Sequence, residues 1–266
     1  MPFRFSDEHI RQFYSMGYTV FRGILPPSLI SDLRREADRA RDIARKKQGP
    51  QTQRLQPVAE YDLDHKVFEA YRTLPPLVDA ISRLLTPQHK HHTRQLGILF
   101  EPAERPWCTP WHRDITEKSP QMDVATLRAR LNDWHWLNQC NVALYDDPST
   151  WFVPGSCTRL FDTEGETRAS IFPELLRDAE RGQATAPAAE IERVAIDYCQ
   201  AMPGAVQLVL NAGDYAIYRP VGWHIGNYTP YRKRATLHDH VVHPEYAAFL
   251  DDWAARLAKP AVPNVA

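Results

Sequence analysis

Residues 211–238 read NAGDYAIYRPVGWHIGNYTPYRKRATLH, and this stretch decides what kind of chain it is. Gly213-Asp214 is a turn signal. Tyr215 to Tyr218 after it, and the run from Ala235 to Val242 at its far end, are short, rich in β-branched and aromatic residues, and bounded by Pro and Gly, as strands are. Two chemistry-bearing residues stand out. His224 follows the first strand, and Arg234 lies ten positions later, on the strand after that histidine.

Toward the N-terminus the strand texture continues back to Thr93. Candidate strands are Thr93 to Phe100, Leu137 to Tyr145, Trp151 to Val153 and Val206 to Leu210, with helical insertions near Asp123 to Arg130 and Ser170 to Cys199. The N-terminal third reads helix, strand, helix. Ser6-Asp7-Glu8 starts a helix that Gly17 ends, and Tyr18 to Arg22 is a strand. Pro26-Pro27 opens a longer helix with Leu29, Ile30, Leu33 and Ala37 on one stripe. Lys46 to Gln56 reads as a polar loop and Leu77 to Leu85 as a second amphipathic helix. The expected architecture is mainly β with helices: a double-stranded β-helix (a cupin-like jelly roll) supported by N-terminal and inserted helices, one domain over residues 1–266.

Trp111-His112-Arg113-Asp114 supplies the chemistry. At a strand end, residues i and i+2 face the same way, so His112 and Asp114 can address one ion. His224 is the best third ligand. Two histidines and one carboxylate leave the opposite face of a metal open, which suits non-haem Fe(II) with a co-substrate and O₂. An HxD pair alone also arises by chance in a solvated loop. Arg234 weighs against that reading, because a planar guanidinium can hold the far end of a dicarboxylate bidentately.

With these residues in view the chain resembles the phytanoyl-CoA dioxygenase-like group of Fe(II)/2-oxoglutarate oxygenases. The resemblance is carried by FYSMGYTVFRGILPPSLISDLR, TPWHRD, NVALYDDPSTWFVPGSCTRL and the opening stretch, and spans about Phe5 to His240. It implies that His112, Asp114 and His224 bind iron and that Arg234 binds the distal carboxylate of 2-oxoglutarate. A small-molecule C–H bond would be hydroxylated with O₂, releasing succinate and CO₂. Two departures bear on the pocket wall: Asp146 to Trp151 replaces the usual Asn-Gly turn, and Cys157 stands where the family has histidine. Halogenating relatives carry a small residue at the carboxylate position, so Asp114 argues for hydroxylation or a related oxidation.

Other residues admit two readings each. Asn141, a polar amide in an apolar run, bonds either 2-oxoglutarate or substrate, or else a backbone or water partner. His89, His91 and His92 read as a solvated connection. His238 is a hydrogen-bonded core histidine or points into the barrel, and His135 lines a pocket or packs normally. Arg113 faces away from the metal, to a salt bridge outside the barrel or over its rim to substrate, and Arg232 is a substitute for Arg234 if the register differs. Residues 117–132 and 159–183 form a mobile lid or static decoration.

Composition excludes several classes. A net charge of −1 gives no field for nucleic acid or anionic lipid. The opening MPFRFSDEHIRQF has no apolar core of signal-peptide length, and no run is long enough to span a bilayer. Four scattered cysteines without a CxxC pair fit structural thiols in a reducing cytoplasm. The competing functions are a cupin-like metal-binding or sensing protein without turnover and a Zn-dependent hydrolase using the same triad; neither needs an arginine clamp.

Overall fold

The computed structural model describes residues 3–92, 95–116, 119, 124–248 and 251. Helix α1 (Asp7–Met16) starts after Ser6 and ends on Gly17 at φ 86°, a left-handed geometry that glycine adopts without a Cβ penalty. Strand β1 (Tyr18–Phe21) leads to α2 (Pro27–Gln48), which has proline in its first turn. This helix runs past Lys46, where a loop was expected. Arg45, Lys46 and Lys47 in its last turn suit the negative end of the helix dipole, and Gly49 ends it. Next come β2 (Arg54–Leu55), α3 (His65–Arg72), α4 (Pro75–Leu84), β3 (Lys90–His91), β4 (Gly97–Phe100) and β5 (Trp107–Cys108). Then follow α5 (Val124–Leu131), β6 (Asn138–Ala143), β7 (Asp147–Phe152), α6 (Glu164–Ala169), α7 (Glu174–Glu180) and α8 (Ala188–Ala201). Strands β8 (Val206–Leu210), β9 (Tyr215–Tyr218), β10 (His224–Tyr228) and β11 (Ala235–Val242) complete the order.

Two antiparallel sheets form. The larger has the order β1-β9-β6-β11-β4-β2, with β3 also on β11; the smaller has the order β5-β10-β7-β8. Alternation along each strand separates their surfaces. On the larger sheet Cys140, Val142, Ile217, Leu237 and Val241 join Phe13, Leu33, Ala37, Phe68, Tyr71 and Leu77 of the N-terminal helices in one buried cluster. The neighbouring positions Gln139, Asn141, Tyr218, His238 and His240 face a cavity. The sheets meet through Tyr18, Val20, Ala143, Phe152, Leu208, Leu210 and Ala216. Helix α8 covers the smaller sheet, packing Ile191, Ala195 and Tyr198 with Trp111, Trp223 and Ile225.

Several expectations shift. Strand β7 begins at Asp147, four residues before the anticipated Trp151, because its register with β8 extends to Asp147↔Leu210 through a bulge. Strands β5 and β10 were not anticipated; they are short, and their pairing partners are distant in sequence. Thr93 and Arg94, within the expected first strand, lie outside the described residues. His89, His91 and His92 are buried, correcting the solvated reading. Pairing of Val241↔His91 draws this segment against β11, and partners compensate burial: His91 Nδ1 lies 3.3 Å from Asp239, and His89 bonds Thr86. All four cysteines are free and buried. No helix among the described residues is long and apolar enough to cross a membrane.

Candidate metal centre

His112 and His224 exchange backbone hydrogen bonds, N to O at 3.1 and 3.0 Å, which joins the HxD segment to the head of β10. Asp114 N donates to Pro220 O at 2.9 Å, fixing the third residue. Three side chains thereby converge. Oδ1 of Asp114 lies 3.6 Å from His112 Nε2 and 3.5 Å from His224 Nε2. Two ligand atoms each about 2.1 Å from one ion sit no more than about 4.2 Å apart, so both separations admit a shared ion. Among the described residues this is the one His/Cys/Asp/Glu group so arranged.

The tautomers suit a metal as well. His112 Nδ1 lies 2.8 Å from Pro110 O, and His224 Nδ1 lies 3.0 Å from Gly222 O. A carbonyl accepts only, so each Nδ1 donates, and Nε2 is the nitrogen that each ring turns toward the centre. Burial, reinforced by the adjacent His112, pulls the His224 pKa down to about 4, leaving the neutral form that a metal takes. The Val153-Pro154-Gly155-Ser156 segment holds this strand in place. Ser156 Oγ donates to Val153 O at 2.6 Å and accepts from Trp223 N at 2.8 Å. Gly222 has no room for a side chain, since a Cβ there would stand 2.7 Å from Phe152 Cζ.

The triad lies in the wall of a cavity of about 730 Å³, within the range of small-molecule sites. Register lines up the residues behind it: Tyr218, Gln139 and His240 are cross-strand neighbours, as are Asn141 and His238. Gln139 was missed from sequence. Its Nε2 donates to Asp114 Oδ2 and lies 3.2 Å from His240 Nε2. No short motif marks such a residue; only its strand parity with Asn141 could have pointed to it. Asn141 faces the cavity but already has protein partners, His238 Nδ1 at 2.8 Å and Thr150 Oγ1 at 3.3 Å. Both readings of His238 therefore hold: it is buried and hydrogen-bonded, and it lines the cavity.

Arg234 is buried just before β11. Its backbone is fixed by Glu101 Oε2, accepting from Arg234 N at 2.8 Å, and by Arg41 Nη2, donating to Arg234 O at 3.0 Å. Arg234 Nε donates to Asp147 Oδ2 at 3.0 Å, which also accepts from Thr236 Oγ1 at 2.8 Å. Burial alone would raise the Asp147 carboxyl; the guanidinium and the Ser149 and Thr236 donors outweigh it and hold the group ionised, below its usual range. Nη1 and Nη2 of Arg234 are buried without a hydrogen-bond partner among the described residues. They do not reach the cavity surface, because the Tyr228 ring covers the guanidinium at 4.4 Å from its Cζ. Gly226 makes room for that ring, for any Cβ there would collide with the Tyr228 hydroxyl.

Other candidates fall away from the centre. Arg113 pairs with Asp162 at 2.9 Å and donates to the carbonyls of Ser156 and Val221, the salt-bridged alternative. Arg232 is exposed and so cannot substitute for Arg234. His135 packs its ring on His89 and does not line the cavity. Of the expected lid, residues 117, 118 and 120–123 lie outside the described residues. Helix α5 is anchored by Leu127 and Leu131, and α7 by Leu176. The end of α7 with Arg181 and Gly182 bounds a second hollow, which shares Trp107 and Gln53 with the cavity.

No family model matches the sequence, and no curated protein does. Solved structures do. SnoN, an epimerase crystallised with Fe3+, alpha ketoglutarate and nogalamycin RO, is 18% identical with a TM-score of 0.54, over 98% of this chain and 91% of that one. SnoK, a non-heme alpha ketoglutarate dependent carbocyclase from nogalamycin biosynthesis, is 16% identical with a TM-score of 0.56, over 90% and 85%. HygX from Streptomyces hygroscopicus, solved with nickel and 2-oxoglutarate, is 15% identical with a TM-score of 0.55, over 90% and 87%. At this level of identity the likeness is one of fold: the chain is built like these proteins.

Proposed function

We propose that this chain is an Fe(II)- and 2-oxoglutarate-dependent dioxygenase of the phytanoyl-CoA dioxygenase-like group, acting on a small molecule, with residues 1–266 read as one catalytic domain. The observation that carries the reading is the convergence of His112, Asp114 and His224 at one wall of a cavity, with both Nδ1 atoms bound to carbonyls. The order β9-β6-β11-β4 opposite β5-β10-β7-β8 supports a double-stranded β-helix core. Fold neighbours that hold iron or nickel with the same co-substrate support the choice of cofactor.

Bound Fe(II), 2-oxoglutarate and O₂ supply the oxidising chemistry, with succinate and CO₂ released. The chain's own residues do the rest. His112 and His224 would offer their Nε2 atoms and Asp114 one oxygen, while Gln139 holds the other. Nη1 and Nη2 of Arg234, without a hydrogen-bond partner among the described residues, would hold the distal carboxylate beside the Tyr228 ring. Asn141 and His238 form the polar wall beside the co-substrate, and Tyr218, Trp107 and Tyr228 exclude water. No side chain is required as a general base.

Hydroxylation is the outcome proposed first. Anaerobic Fe(II) plus 2-oxoglutarate gives a weak visible charge-transfer band in the native protein, and His112→Ala loses iron binding and 2-oxoglutarate turnover together. A His112→Ala protein with full iron occupancy and activity would overturn the assignment, and a colourless protein active with Zn²⁺ would favour the hydrolase. Incorporation of ¹⁸O from ¹⁸O₂ into product separates hydroxylation from epimerisation or ring closure, the outcomes named for SnoN and SnoK.

A further inference from the structure

The cavity wall carries a cation, Arg54, that the proposed chemistry does not use. Arg54 sits on β2, opposite Leu99 of β4, and both side chains line the cavity, while Leu55 beside it turns into the core. The Arg54 guanidinium makes no hydrogen bond or ion pair among the described residues. Its charge acts inward nonetheless, on Tyr218, Tyr228, His238 and His240. The other arginine in the cavity wall, Arg113, is consumed by Asp162 and two carbonyls. Arg234, the candidate for the co-substrate carboxylate, lies behind Tyr228. Around Arg54 the wall is neutral and polar, from Gln53, Gln56 and Gln95.

An exposed guanidinium whose donors have no partner among the described residues, at the wall of a cavity where Asp114, the proposed ligand, is the one carboxylate among the described lining residues, selects for negative charge. We propose that Arg54 recognises a carboxylate or phosphate group on the primary substrate, so that the substrate is an acidic small molecule presented to the metal centre by its anionic end. This inference rests on the dioxygenase reading for its distinction between primary substrate and co-substrate. The same anion chemistry could come from 2-oxoglutarate itself, and the test separates the two.

The experiment uses the full chain with ¹⁵N-arginine, loaded with Zn²⁺ as a redox-silent metal and saturated with 2-oxoglutarate. The Arg54 Nε–Hε signal is assigned by its absence in Arg54→Lys. Phenyl phosphate and phenylacetate are titrated as probes, with phenylacetamide as the uncharged control. Both anions shift the Arg54 signal saturably, and the amide acts at least about tenfold more weakly. In Arg54→Gln, both anions bind at least about tenfold more weakly, read from the probes' own resonances, while the 2-oxoglutarate titration is unchanged. If 2-oxoglutarate alone moves the Arg54 signal and the anions then add nothing, the residue serves the co-substrate and the proposal falls. An unsaturable drift with either anion marks bulk screening and also overturns it. If the protein binds no 2-oxoglutarate yet Arg54 responds saturably to the anions, the dioxygenase reading fails and the anion site stands.

Discussion

Gln139 donates from Nε2 to Oδ2 of Asp114, leaving Oδ1 as the oxygen that lies near both histidine Nε2 atoms. One carboxylate is thus divided between a protein donor and the proposed metal position. Gln139→Leu keeps the approximate volume and removes the donor. Partners of this kind are worth roughly 10–100-fold in metal affinity. Chelator competition against Fe(II) is expected to show a loss in that range; equal affinities would remove Gln139 from the site.

Arg234 and Arg232 lie two residues apart with opposite fates, one buried and one exposed. Arg234→Ala raises the 2-oxoglutarate concentration needed for half-maximal succinate release by at least about tenfold, or ~1.4 kcal/mol. Arg232→Ala leaves it unchanged. A reversed pattern would mean that the β11 register differs from Thr236↔Leu99.

Ser156 ties the Val153-Pro154-Gly155-Ser156 turn to the strand of His224, and Gly222 is wedged between them. A Cβ at Gly222 would meet Ser156 Oγ at 3.0 Å and Cys157 Cβ at 3.2 Å besides Phe152. Gly222→Ala is expected to cost roughly 1–3 kcal/mol of stability in urea unfolding. Because the Gly222 carbonyl orients His224, metal affinity falls with it; a variant with native affinity would detach the two effects.

Glu166 is buried at the start of α6, where Arg159 donates to both its oxygens and Thr163 N donates to Oε2 at 2.8 Å. Burial alone would raise its pKa, but these donors prevail and bring it from 4.5 down to about 2. A depressed carboxyl pKa contributes stability that is fully present above the unfolded value and lost as pH falls through the folded one. Glu166→Gln is therefore less stable than the native protein at pH 7, and the difference closes between pH 4.5 and about 2. Urea midpoints at a series of pH values measure it, and a pH-independent difference would assign the loss to packing.

The local patterns that specify turns, strands and helix ends were readable in the sequence, because they depend on neighbours a few residues apart. Gly17, Pro27 and the runs Val206–Leu210, Tyr215–Tyr218 and Ala235–Val242 act as their types dictate. So do His112 and Asp114, whose spacing of two lets them address one point. His224 was legible as a candidate through its setting after a turn and strand. Long-range pairing decided the rest. Strands β5 and β10 are too short to announce themselves and exist through each other and β7. His89, His91 and His92 look solvated in a polar run, yet β3 on β11 buries them. Gln139 beside Asp114, Asp147 on Arg234 and Tyr228 over that guanidinium each join residues many positions apart. Arg54 carries no motif, and its place opposite Leu99 in the cavity wall comes only from sheet register. A side chain's chemistry is a property of its residue, but the partners that tune it are brought by tertiary folding, which spacing along the chain does not specify.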